Sequence, residues 1–132
     1  MYRPLILGGA LSWEATNNLK RKVSNPGRAT LEFKSLASML GMIENVDGEF
    51  VKMEGRTAPV DLANLIIIDE CSQITEEHLD LIKKAISGKN VAVIFAGDPG
   101  QIPPIRSKKS GVADDELSPV FTDPSIPKAQ LT

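Results

Sequence analysis

The chain has 132 residues, 42% hydrophobic and 24% charged, with a formal net charge of −2. That is one domain's worth of sequence, long enough to bury a core, and its charge gives no global pull toward nucleic acid, so any such contact must come from a local patch. The single cysteine, Cys71, excludes an internal disulfide and suits a reducing cytosol; with neither a membrane-length apolar run nor a signal-peptide pattern, the expectation is a cytoplasmic domain with no membrane partner.

The first apolar run, Arg3–Gly9, closes on two glycines and predicts a strand entering a turn. Ser12 then stands where a helix cap belongs. Glu14 lies in the first turn of the predicted helix, and Lys20, Arg21 and Lys22 lie near its end, as the helix dipole prefers. Trp13 is expected to face the core, although Trp13 with the three cations also suits stacking and phosphate contact. A second short helix is expected over "FKSLASMLGM", presenting Phe33, Leu36, Ala37 and Leu40, with Gly41 as its C-cap. Asp47–Gly48 between apolar flanks signals a hairpin, and Pro59 breaks the chain.

"NLIIIDE" follows, a continuous isoleucine-rich run that fits a strand buried on both faces of a parallel sheet. Thr75 caps the next helix and Gly88 ends it; Leu79, Ile82, Ala85 and Ile86 form its apolar stripe, while His78 in the first turn reads as solvated. A second apolar strand, "VAVIFAGD", again ends in an acid. Strand, helix, strand at this spacing is a right-handed parallel crossover, so the expected fold is a three-layer α/β sheet with central strands Leu65–Asp69 and Val91–Gly97. Residues 99–132 are proline-rich and expected to be loop.

Ligands of such sheets sit beyond the carboxyl ends of the strands, and Asp69, Glu70 and Asp98 fall on that edge. Adjacent carboxylates leaving a buried strand are desolvated and repel one another unless something pairs with them. A Mg²⁺ ion would answer this, since it takes oxygen ligands, keeps several waters and bridges phosphates. Asp69 would hold the ion, and Glu70 would act as general base on the attacking water. The plainer alternative is that these acids merely end a strand at solvent. At the second strand end, Gln101 can both donate and accept, and so can sense a terminal phosphate; otherwise it is a solvated glutamine in a surface turn. Cys71 reads as a small buried side chain, Ser72 as either a contact near the metal or the start of a turn, and Arg106, Lys108 and Lys109 as a solvated basic loop, with contact to a nucleic-acid backbone as the alternative.

"IIIDECSQI" resembles the Walker-B motif, and "AGDPGQIPPI" resembles the GDxxQLPP motif that follows it, in superfamily-one DNA helicases of the Dda and RecD-like phage-type branch. More faintly, "LILGGALSWEATNNLKRKV" is similar to the strand and helix carrying their first DNA-contact motif, "FKSLASMLG" to the segment after it, and "LSPVFT…AQLT" to the stretch beyond the second motif. The resemblance implies a partial RecA-like motor domain over residues 1–132. In the complete protein it implies ATP and Mg²⁺ as cofactors, with Asp69, Glu70, Asp98 and Gln101 at the nucleotide, and single-stranded DNA as the track for 5′-to-3′ translocation. The family's phosphate loop, G-x-x-x-x-G-K-[ST], does not occur in this sequence, and "GGALSWEAT" departs from the family's "APTNKAA". The expectation is therefore a piece of a helicase that does not hydrolyse ATP by itself. A non-catalytic decoy module and a fragment of a PhoH-like ATPase are the alternatives. In the family the phosphate-loop strand lies beside the GDxxQ strand, which would leave Val91–Phe95 as an open edge here, able to self-associate or to take the chain's own tail.

Overall fold

The computed structural model describes residues 4–23, 29–55, 57–97 and 118–127. Four parallel strands form the main sheet: β1 (Leu5–Gly9), β2 (Thr30–Phe33), β5 (Leu65–Ile68) and β6 (Ala92–Phe95), in the order β2-β1-β5-β6. A separate antiparallel hairpin pairs β3 (Met42–Glu44) with β4 (Phe50–Lys52). The helices are α1 (Trp13–Lys22), α2 (Leu36–Met39), α3 (Glu76–Ile86) and α4 (Pro119–Thr122), with 3-10 turns at Pro59–Leu62 and Cys71–Gln73. The expected α/β parallel sheet is therefore present.

The register explains how the core divides. Leu7 lies opposite Ile66, and Gly9 opposite Ile68, so these positions share one face. Leu7, Ile66 and Ile68 are buried there together with Leu36 and Met39 of α2, Val60 of the first 3-10 turn, Leu79 and Ile82 of α3, and Val120 of α4. Burying a side chain of this size contributes roughly 1.5–3 kcal/mol, so this face holds most of the stability. On the opposite face α1 lies over β1 and β2, with a Leu19 methyl approaching Gly8 beside the Phe33 ring. The sheet is thus three layers thick over β1 and β2.

Three expectations are corrected. Phe33 belongs to strand β2, not to a helix: "TLEF" pairs in parallel with β1, and the helix begins only after Ser35, whose hydroxyl accepts from the Ser38 amide. β5 buries only alternate residues: Ile66 and Ile68 are buried on the core face, whereas Leu65 and Ile67 on the second face are half-buried. The other strand read as central spans Ala92–Phe95 and lies at the edge of the described sheet, alternately exposed and half-buried.

Local chemistry sets the connections. Asn45 closes the hairpin, its side-chain oxygen accepting from the Asp47 and Glu49 amides, and Gly48 takes the left-handed φ of +80° that the turn requires. Thr75 caps α3 and Gly88, at φ +73°, follows its end. Within residues 99–132, the described part is not all loop. Ser118 is buried and donates to the Ile74 carbonyl at 2.5 Å, Val120 enters the core, and Lys83 pairs with Asp123 at 2.5 Å. Among the described residues, no helix is long and apolar enough to cross a membrane.

Candidate active site

Because β1, β5 and β6 run parallel, their carboxyl ends open on one edge of the sheet. Asp69 and Glu70 stand there, the first half-buried and the second exposed. The backbone explains this placement. The Asp69 amide donates to the Gly9 carbonyl of β1 at 2.7 Å, whereas the Cys71 amide donates to the Ala96 carbonyl, just past β6, at 2.9 Å. In a regular strand, amides two residues apart point to the same side. Here they reach opposite neighbours, so the chain must turn over at the residue between them. Glu70 makes that turn, with φ 53° and ψ 45° in the left-handed region. It is the non-glycine residue with positive φ among those described. For a side chain without special tolerance this conformation costs about 1–2 kcal/mol. Such strain persists where surrounding bonds over-determine it, and it concentrates at functional sites.

The bonds that hold Glu70 in this state come from the turn after it. Cys71 is 1% exposed, and burial pushes its thiol up to about 11, with a smaller contribution from the Asp69 charge. The expected small buried cysteine is therefore found, held as a neutral thiol. Ser72 is buried in the same 3-10 turn. This turn backs directly onto Gly97, where a Cβ would lie 2.9 Å from both the Cys71 nitrogen and its sulfur. The glycine that opens "GDPGQ" is thus required by close packing of the two strand ends, independently of any ligand. Asp98 and Gln101, with Arg106, Lys108 and Lys109, lie outside the described residues.

Trp13 is not a core residue. It is 58% exposed, and Thr16 is the buried residue of α1 instead. The Thr16 hydroxyl accepts from the Ala10 amide at 3.0 Å and donates to the Ser12 carbonyl at 2.8 Å, locking the turn from β1 into α1. Trp13 lines a groove of about 310 Å³ with Leu11, Ser35, Ser38, Ile43 and Glu44. His78 is half-buried, not solvated: its Nδ1 accepts from the Thr75 amide at 3.2 Å and its ring lies 5.0 Å from that of Phe50. Burial lowers its pKa below the usual value.

Whether these residues suit a metal is a question of donor set. Among the described residues, no three His, Cys, Asp or Glu side chains gather as a metal cage. Two adjacent carboxylates at a strand end are nonetheless the donor set Mg²⁺ uses, since it takes one or two protein carboxylates and completes its shell with water and phosphate oxygens. Asp69, half-buried at the end of β5, is a donor of that type.

A parallel sheet with helices on both faces and acids at its carboxyl edge is the open α/β architecture whose ligands bind beyond that edge. Residues 4–115 match the AAA domain family, so this chain belongs to that P-loop NTPase family, which includes RecD-like superfamily-one helicases. A stretch of 47 residues is also 43% identical to an uncharacterised protein of Acanthamoeba polyphaga mimivirus, covering 36% of this chain and 10% of that protein.

Proposed function

We propose that this chain carries the metal- and water-handling half of an ATP-driven DNA helicase motor of the Dda and RecD-like branch. In a complete protein it would couple ATP hydrolysis to movement along single-stranded DNA. Asp69 holds the magnesium-bound nucleotide, Glu70 is the general base, and Asp98 and Gln101 act at the same nucleotide from the neighbouring strand end. The ion, when bound, neutralises phosphate charge. The single observation that carries this reading is the left-handed turn at Glu70, which sets an exposed carboxylate at the common edge of β1, β5 and β6. A residue held there against its conformational preference points to a role other than stability.

The 132-residue sequence has no phosphate loop, so Asp69 and Glu70 have no partner lysine and backbone cradle for the triphosphate. The chain by itself is expected to show no ATP turnover. The test is a longer chain joining these residues to a phosphate loop, assayed with single-stranded DNA. Glu70→Gln there should abolish turnover while leaving nucleotide binding intact. Undiminished turnover would remove Glu70 from the base role, and absence of DNA-stimulated turnover in the unmutated chain would favour a non-catalytic module.

A further inference from the structure

The β3–β4 hairpin stands outside the main sheet, and its register sorts its side chains onto two faces. Met42 lies opposite Lys52 and Glu44 opposite Phe50, so these four share one face, while Ile43 and Val51 share the other. Ile43 and Val51 are exposed, whereas Met42 and Phe50 are half-buried and pack against the core, so the first face is the inward one. At the root of the hairpin the Met53 amide donates to the Gly41 carbonyl at 3.0 Å, and near its tip the Asn45 amide donates to the Glu49 carbonyl at 2.8 Å. The inward face meets the start of α3 at one ring contact, Phe50 on His78, with centroids 5.0 Å apart and planes tilted by 38°.

That contact depends on a protonation state. His78 Nδ1 accepts from the Thr75 amide at 3.2 Å while the Thr75 hydroxyl accepts from the His78 amide at 3.2 Å, a reciprocal cap that holds the imidazole against the hairpin. A protonated ring carries N–H at both nitrogens and has no acceptor for that amide. Its charge would also lie in the first turn of α3, where the helix dipole opposes a cation, and in a half-buried position. The charged side chains on the two packed elements are Glu76 and Glu77 in the same turn of α3, and Glu44 and Lys52 on the inward face of the hairpin. All four are exposed, where charges interact weakly through water, and burial sets the direction by lowering the His78 pKa.

We infer that His78 is a proton-sensitive latch: neutral, it ties the β3–β4 hairpin to the start of α3; protonated, it leaves the Thr75 amide and the Phe50 ring and frees the hairpin to open. β3 supplies Ile43 and Glu44 to the groove beside Trp13, so an open hairpin removes one wall of that groove. The latch is independent of the acids at the strand ends.

Amide exchange of the 132-residue chain in low urea, at about pH 7.5 and about pH 5 with intrinsic rates divided out, tests it. The Asn45 and Met53 amides should exchange through an opening that scarcely depends on urea, because it exposes little surface. The Asp69 amide, bonded to the Gly9 carbonyl, should instead follow the urea slope of whole-chain unfolding. Toward the lower pH the hairpin opening should grow several-fold, with a ceiling of about thirtyfold for a group whose free pKa is 6.5. His78→Gln, which can still cap α3 and does not titrate, should open equally at both pH values. Phe50→Leu, a second variant should the first fail to fold, removes the ring contact and should open readily at either pH. Hairpin amides that share the rate and urea slope of the Asp69 amide overturn the proposal. So does a hairpin opening unmoved by pH in the unmutated chain, or an undiminished rise in His78→Gln or in Phe50→Leu.

Discussion

Gly8 and Gly9 are adjacent in sequence and equally buried, yet the packing assigns them opposite sensitivities. A Cβ on Gly9 would lie 1.8 Å from the Lys34 carbonyl oxygen and 2.7 Å from the Met39 methyl. The nearer atom is backbone, so the β1 end and the Lys34 segment would have to part by about 1.2 Å to restore even a 3.0 Å approach. That movement strains the Lys34 amide bond to the Gly8 carbonyl, 3.0 Å, and the Asp69 amide bond to Gly9 itself. Overpacking of this kind costs about 1–3 kcal/mol, and a weakened backbone hydrogen bond adds roughly 1 kcal/mol, so Gly9→Ala should lose about 3 kcal/mol. A Cβ on Gly8 meets only the Phe33 ring at 3.4 and 3.5 Å and a Leu19 methyl at 3.7 Å, which is ordinary contact. Gly8→Ala should therefore fall within about 0.5 kcal/mol of the unmutated chain, helped by alanine's smaller entropy loss. In urea unfolding with a slope near 2 kcal/mol per molar, Gly9→Ala should lower the midpoint by about 1.5 M and Gly8→Ala by less than about 0.3 M. Equal shifts for both would refute the close approach at the end of β1.

Two further outcomes follow from the same geometry. Glu70→Gly should gain about 0.5–1 kcal/mol, since relief of about 1–2 kcal/mol of left-handed strain exceeds glycine's extra unfolded-state freedom of about 0.5–1 kcal/mol. Glu70→Gln keeps the strain and should leave the midpoint unmoved, so a loss on Glu70→Gly would show that the turn is not strained. His78 is buried as a neutral acceptor with its pKa lowered from 6.5, so the unfolded chain takes up the proton first as pH falls. Its contribution is complete above about pH 6.5 and lost progressively below it. The urea midpoint should fall between pH 7.5 and 5, and His78→Gln, which can still form a capping box, should flatten that fall. Asp123, lowered from 3.8 by Lys83 and Ser125, is held ionised and loses its contribution only at lower pH, so the two effects separate. A midpoint independent of pH over that upper range would contradict the buried acceptor.

Much of the sheet was legible because its signals are local and redundant. The isoleucine run of β5, the Thr75 cap and Gly88 end of α3, and the Asp47–Gly48 turn each carry their own chemistry within a few residues. The readings that failed depended on what covers a surface. "TLEF" has no strand signature strong enough to outweigh the apolar spacing that follows it, and only pairing with β1 makes it β2. Trp13 sits at helical spacing with the apolar positions, but the buried position on α1 goes to a threonine whose hydroxyl holds the preceding turn. β5 reads as buried on both faces because its composition does, whereas Leu65 and Ile67 are only half-buried.

That Asp69 and Glu70 follow the end of a strand was readable from the sequence, but the left-handed turn at Glu70 was not. Nothing in "IIIDECSQI" marks a left-handed residue, since a glutamate there is what propensity argues against. The marker lies elsewhere: a glycine at 97 that lets the turn at Cys71 reach the Ala96 carbonyl, and a glycine at 9 that lets Lys34 close against β1 while accepting the Asp69 amide. Asp69 is held by one neighbouring strand and Cys71 by the continuation of the other, so the residue between them has no extended path available. The two motifs that resemble separate helicase signatures are, in this fold, parts of one mechanical arrangement. The glycine of the second is the condition for the geometry of the first.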